Sequence, residues 1–367
     1  MKNSDSTTGV HNQTDSWSFN LTSAGSATRP RTTDENACFT RERYEPVQLS
    51  VSEYHDLREK GFVKVAGLIP QSDIQDLSSH MDRVLEGEET ATGFPKIDSS
   101  MPESERIARF SRIHNAHRVH AKHERFLLHP RILDVLEKLN GPDVLALQSM
   151  TFFKQPGQPG QGYHQDSYYI PTLPNTLIAA RVAISEATEE NGCLWFRVGS
   201  QVEPLYPQSD NEFTHESRAL KGVFDNYTAS EDDTNINQLA AIADRYPEVA
   251  CPAKPGDVIF FHGNILHRSH ANISDTPRRA FAGHYCDARS FVPWNTGDAW
   301  EGMEQGKGAN RYHVLARGDT NLEFAFPIFG TPSAAIETRK PRLVGCLIDM
   351  PLAGNGEMGM GSIKVMR

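Results

Sequence analysis

His164 and Asp166 stand two residues apart in the stretch QGYHQDSYY. In extended backbone, residues i and i+2 point to one face, so an imidazole and a carboxylate converge on one point. One further histidine would complete the two-histidine, one-carboxylate face that holds non-haem Fe(II) and leaves coordination positions open. The Gly-rich loop QPGQPGQG before the motif and Tyr168–Tyr169 after it read as the mouth of a cavity. The third ligand belongs downstream, on a neighbouring strand. The segment GDVIFFHGNILHRSHANISDTPRRAFAGHY offers His262, His267, His270 and His284, and spacing does not choose among them.

Arg278 narrows the chemistry. A strand starting at Pro277 sets Arg278, Ala280, Ala282 and His284 on one face, against Arg279, Phe281, Gly283 and Tyr285 on the other. A guanidinium beside two alanines leaves room for a bound carboxylate, which its planar fork engages bidentately. The competing reading is a structural ion pair. His114, His117, His120 and His123 recur every three residues. With Arg and Lys interleaved and no carboxylate nearby, that run reads as a solvated or partly packed basic helix rather than a metal site.

The elements that must hold these residues are legible in outline. Residues 1–45 are rich in Ser, Thr, Asn and Asp without periodicity, which predicts a flexible N-terminal arm. The remainder, 46–367, reads as one domain. Its helical part, 50–141, has a helix capped by Ser52 and stopped by Gly61, and a second capped by Ser72 with Ile74, Leu77, Met81, Val84 and Leu85 on one side. A third starts at Pro130 and ends at Gly141. Short strands follow at 144–154, 177–184, 193–198, 257–262 and 278–285, with a strand-like run already at 62–69. They form a core over 143–290 with an insertion at 201–250, the expected lid and specificity element, holding one helix near 236–245. The extension 291–367 has little periodicity.

Composition excludes several classes. The chain has 367 residues, 37 basic against 47 acidic side chains and a net charge of −10. That balance argues against non-specific nucleic-acid binding. Mean hydropathy is −0.51, and no long uninterrupted apolar run suggests a membrane span. The first thirty residues lack the apolar block of a secretory signal. Five scattered cysteines with no CxxC pair form neither a disulfide framework nor a thiolate zinc site. A cytoplasmic, reduced protein, monomer or homodimer, is the expectation.

The order His164-x-Asp166, then ENGCL (190–194), then GDVIFFHGNILHRS (256–269), then Arg278 resembles the phytanoyl-CoA dioxygenase family of Fe(II)/2-oxoglutarate oxygenases. The resemblance runs over residues 50–290 and is strongest in 143–200 and 255–285. It implies a mainly β fold with flanking helices, the core being a double-stranded β-helix, a cupin-like jelly-roll. It implies Fe(II) held by His164, Asp166 and His267, with 2-oxoglutarate and O₂ as cosubstrates. Arg278 would grip the distal carboxylate of 2-oxoglutarate with help from Ser269. Gln148, Met150 and Phe152 match the cavity face of the strand before the motif, the first and last beside the cosubstrate. Arg181 stands where the family often has an aromatic residue. Facing inward it would favour an anionic substrate group and require an acidic partner; the other reading is a sheet-edge salt bridge with Glu186 or Glu189. Tyr168, Met150, Arg181 and His284 are the expected substrate contacts.

The implied reaction is hydroxylation or desaturation of a small-molecule metabolite, with 2-oxoglutarate going to succinate and CO₂. Related halogenases vacate the carboxylate position, so Asp166 argues against halogenation. No basic cluster suited to a CoA diphosphate stands out, which favours a free small molecule. Two other classes use the same ligands: a zinc hydrolase and a non-catalytic metal- or ligand-binding jelly-roll acting as sensor or scaffold. The hydrolase does not require Arg278 at that position, and the intact ligand set without an appended DNA-binding module speaks against a sensor.

Overall fold

Alternating side chains of opposite character build the strand that organises the molecule, β10 (Arg278–Asp287), whose Phe281 and Tyr285 face away from Arg278, Ala280 and Ala282. The computed structural model describes residues 45–91, 94, 96–98, 100–102, 105–106, 112–206, 239–292 and 313–318. In it, β10 pairs along its length with β3 (Val144–Lys154). The larger sheet runs β1 (Phe62–Val65), β8 (Val258–His262), β5 (Ile178–Ala183), β10, β3, β11 (Val314–Arg317). Strand β2 (Arg112–His114) pairs with β3 as well. A smaller sheet runs β4 (Gln161–His164), β9 (His267–Ser269), β6 (Leu194–Arg197), β7 (Glu248–Cys251). These ladders are antiparallel, and the two sheets close over a shared interior. This is the expected jelly-roll.

The outer face of the larger sheet is covered by helices. Phe153, Phe281, Tyr285, Val182 and Phe260 pack against α2 (Gln71–Glu86), through Ile74, Leu77 and Met81, and against α4 (Pro130–Asn140), through Ile132, Leu133 and Leu136. Each such side chain, removed from water, contributes about 2 kcal/mol before the entropy of ordering it is set against that. The inner face is lined by smaller and more polar residues. There Ala179, Ala183, Ile259 and Phe261 meet Leu194, Phe196 and Cys251 of the smaller sheet.

Several boundaries differ from expectation. Helix α1 (Val51–Lys60) is capped by Ser50, whose side chain exchanges bonds with Glu53 in a capping box, and not by Ser52. Helix α2 starts after Pro70 with no side-chain cap; Ser72 lies inside its first turn. The histidine run is no single helix. His114 ends β2, His117 lies in a 3₁₀ turn, and His120 caps α3 (Ala121–Leu127), which contains His123. His117 and His123 are buried, so the solvated reading fails. The expected helix near 236–245 is α6 (Leu239–Ala243), while 207–238, the middle of the expected lid, lies outside the described residues. So do the arm 1–44 and most of 291–367, apart from β11 and its neighbours. Cys193, Cys251 and Cys286 are buried and free. Among the described residues no helix is long and apolar enough to cross a membrane.

Candidate active site

His164 ends β4 and Asp166 opens the single-turn helix α5 (Asp166–Tyr169), so the chain turns between the two residues. Across the smaller sheet His164 is the register partner of His267 in β9. Of the four downstream histidines, His267 is the one grouped with His164 and Asp166 among residues that could hold a metal ion. The ligand atoms of His164, Asp166 and His267 lie within 4.8 Å of one another, and all three residues are buried.

The tautomers suit a metal. His164 Nδ1 lies 2.9 Å from the Gly162 carbonyl and His267 Nδ1 3.0 Å from the Ile265 carbonyl. A carbonyl only accepts, so both hydrogens sit on Nδ1 and both Nε2 atoms present lone pairs. These lie 3.6 and 3.7 Å from the same oxygen of Asp166, Oδ1. Burial pulls His164 down to about 3, with the neighbouring His267 adding to the shift, and burial also lowers His267. Burial alone would raise the Asp166 carboxyl, but His267, then His284 and His164, outweigh it and hold the group below the usual range. Two neutral imidazoles and one carboxylate therefore converge, the donor set that Fe(II) takes. The residues fit the metal.

Arg278 lies on the inner face of the larger sheet. Arg278 is buried at 4 % exposure, and its Nε has no hydrogen-bond partner. Among the described residues it forms no ion pair, which argues against the structural-pair reading. Burial lowers its guanidinium to about 10, still charged at neutral pH. A buried guanidinium without an anion is destabilising, so the position is built for one that arrives from solution. Ser269 is buried in β9, on the pairing that joins it to Gln161. Its Oγ accepts from Lys154 Nζ at 3.4 Å, and Lys154 is the register partner of Arg278. The structure thus brings Ser269 and Arg278 to the same corner through Lys154.

Gln148, Met150 and Phe152 alternate on one face of β3, opposite His284, Ala282 and Ala280. Beyond Gln148 the register shifts. Arg181 is half-buried on β5, between β8 and β10, so the sheet-edge reading fails. Its guanidinium lies 4.3 Å over the Phe152 ring, and no salt bridge to Glu186 or Glu189 forms. Burial depresses its basicity, Arg278 adds repulsion, and Asp166 opposes both.

Two expected substrate contacts do other work. His284 points Nε2 at Asp166 Oδ2, 3.2 Å away, and so touches the ligand carboxylate. Tyr168 is 3 % exposed, packed with Tyr163, Leu239, Ala240 and Leu266; the half-buried Tyr169 instead lies edge-on to His164 at 6.4 Å between centroids. Sequence reasoning missed Lys154 and Arg112. Lys154 was within reach, because the inward alternation 148, 150, 152 continues to it. Arg112, paired with Phe152, sits on a three-residue strand too short to show a period.

A jelly-roll whose interior brings a two-histidine, one-carboxylate face near a buried arginine offers the donor set of a non-haem Fe(II) centre. The pattern of the family described as "Phytanoyl-CoA dioxygenase (PhyH)" matches residues 57–280, and the chain belongs to that family. It is 32 % identical over 167 residues to zebrafish (Danio rerio) phytanoyl-CoA dioxygenase domain-containing protein 1, a match covering 44 % of this chain and 52 % of that one, about half its length. It is 27 % identical over 225 residues to a 2-aminoethylphosphonate dioxygenase of an uncultured bacterium, covering 61 % and 76 %. Among solved structures, the 2-oxoglutarate-dependent carbocyclase SnoK of nogalamycin biosynthesis superposes with a TM-score of 0.50 at 21 % identity, covering 67 % of this chain and 87 % of that one. That likeness supports the fold.

Proposed function

We propose that the protein hydroxylates a small anionic metabolite, converting 2-oxoglutarate to succinate and CO₂. His164, Asp166 and His267 hold Fe(II), and Arg278, with Ser269 beside it, holds the distal carboxylate of 2-oxoglutarate. Iron and 2-oxoglutarate supply the oxidising chemistry by activating O₂. The chain supplies position and a dry site: Ala280 and Ala282 leave the space, while Phe152 and Met150 wall it.

A charge balance at Arg181 carries the anionic reading. The doubly charged 2-oxoglutarate and Asp166 together offset a divalent iron and Arg278. Arg181 is left over, with no salt bridge to a carboxylate among the described residues. A substrate bringing a carboxylate, phosphonate or phosphate would complete the balance. The bacterial relative's name, 2-aminoethylphosphonate dioxygenase, describes a substrate of that class.

The test begins with an anaerobic titration of the Fe(II)-loaded chain with 2-oxoglutarate, followed through the visible charge-transfer band of the chelate. The band is expected in the parent, and Arg278→Ala should require at least tenfold more 2-oxoglutarate. Succinate release is then screened over anionic metabolites and their neutral analogues. Arg181→Met should keep the band yet lose preference for the anionic member of each pair. A band with equal turnover of charged and neutral members removes the anionic reading; no band removes the cosubstrate. A product heavier by one oxygen atom marks hydroxylation.

A further inference from the structure

On the outer face of the larger sheet, behind the strands that line the active site, three histidines from two segments meet. His80 comes from α2, His120 caps α3, and His123 lies one turn inside it. His80 and His123 are buried, His120 partly so, and their ligand nitrogens lie within 4.8 Å of one another. Phe94 covers them, with its ring 6.2 Å from His120 and 5.9 Å from His123 between centroids.

The hydrogen positions constrain the chemistry. His80 Nδ1 contacts the Glu89 carboxylate, which only accepts, so His80 carries its hydrogen there and its Nε2 is a lone pair. His123 Nδ1 lies 3.1 Å from the Thr151 hydroxyl. His123 Nε2 lies 3.0 Å from His80 Nε2. With Thr151 accepting, two lone pairs face each other across that gap, and only a cation relieves their repulsion. A carboxylate holding the far nitrogen of one imidazole is the supporting arrangement that metal-bound histidines use.

We infer that His80, His120 and His123 form a second metal site, for a zinc-like divalent ion, with Glu89 orienting His80. His120 enters through Nε2, which lies 3.5 Å from Glu89 Oε2. Its Nδ1 now accepts from the Lys122 amide at 3.2 Å, and that cap contact is given up when the ring shifts its hydrogen. Zinc takes imidazole nitrogens in tetrahedral sites and leaves a fourth position to water. Helices α2 and α3, some forty residues apart at the site, would then be pinned to β3 through Thr151, which lies between Met150 and Phe152 of the cavity wall. This inference is independent of the proposed reaction.

The test uses the full chain carrying His164→Ala and His267→Ala, so that the first site cannot contribute. Cobalt(II) is added to the metal-stripped protein, and both stoichiometry by dialysis and the intense visible bands of tetrahedral cobalt are read. One cobalt per chain, displaced by zinc and lost on adding His123→Ala, is expected. Glu89→Gln should weaken zinc about ten- to a hundredfold. His117→Ala, a change at a buried histidine outside the cluster, should leave binding intact. Absence of stoichiometric cobalt in the folded parent overturns the inference. The cluster is then a plain hydrogen-bonded chain in which Thr151 donates to His123, His123 to His80 and His80 to Glu89. Should His123→Ala fail to fold, the parent titration decides alone.

Discussion

Asp166 divides its two oxygens between two tasks. Oδ1 faces the Nε2 atoms of His164 and His267, while Oδ2 accepts from His284 Nε2 at 3.2 Å. His284 thereby fixes the rotation of the carboxylate, and its own Nδ1 is buried with no partner. It is a positioning residue. His284→Ala should weaken Fe(II) about 10- to 100-fold, as expected when a metal ligand loses its support. His284→Gln, which keeps a donor on a similar stem, should restore part of that loss. Fe(II) titration of the three chains checks this, and equal affinities would show the Oδ2 contact to be idle. The same residue shows the reach of sequence reading. His164 and Asp166 were legible from their two-residue spacing. The choice of His267 over His262, His270 and His284 needed either a resemblance or the β4–β9 register, because spacing does not rank four histidines within one segment.

Elements succeed or fail by length. Strand β3 and the core of β10 announce themselves through sustained alternation, whereas β2, β4 and β9 hold three or four residues and show no period. The caps of α1 and α2 were each misplaced by two residues; at α1, Ser50 and Ser52 are both capping types and only the Glu53 exchange separates them. Within β10 the glycine at 283 is required. A Cβ there would meet the Tyr285 hydroxyl at 2.3 Å, and that hydroxyl donates to the Leu127 carbonyl at the end of α3. Gly283→Ala should therefore cost about 1–3 kcal/mol by pushing the ring aside. Chemical denaturation measures it, and since Arg278 and His284 ride on the same strand, the 2-oxoglutarate requirement should rise with it. An unchanged denaturation midpoint would mean the ring has somewhere else to go.

Over the whole molecule, buried histidines set the response to acid. His313 is lowered to about 3, first by burial and then by the neighbouring Arg118. Burial also lowers His117, His129 and His262. Each is neutral when folded and takes a proton at its ordinary value, about 6.5, when unfolded. Below that pH the unfolded chain binds more protons, so stability falls as pH drops. The loss should begin near pH 6.5, steepen toward pH 4, and level off for each group below its folded value. Thermal melts from pH 8 to pH 4 check this; a flat profile through pH 5 would mean these rings are solvated.

The larger sheet is finished at both sides by strands from beyond the segment that bears the ligands. On one side β1 lies along β8; on the other, β11 covers β3 at Val144–Ala146 and β2 covers it at Met150–Phe152. Trimmed to 143–292, the chain would keep His164, Asp166, His267 and Arg278 yet bare two apolar borders of open N–H and C=O groups. Such borders recruit one another. The trimmed fragment should accumulate as sheet-joined polymers that scatter light where the full chain does not. The short flanking strands thus act as guards against self-templating, a duty separate from anything they do for the reaction.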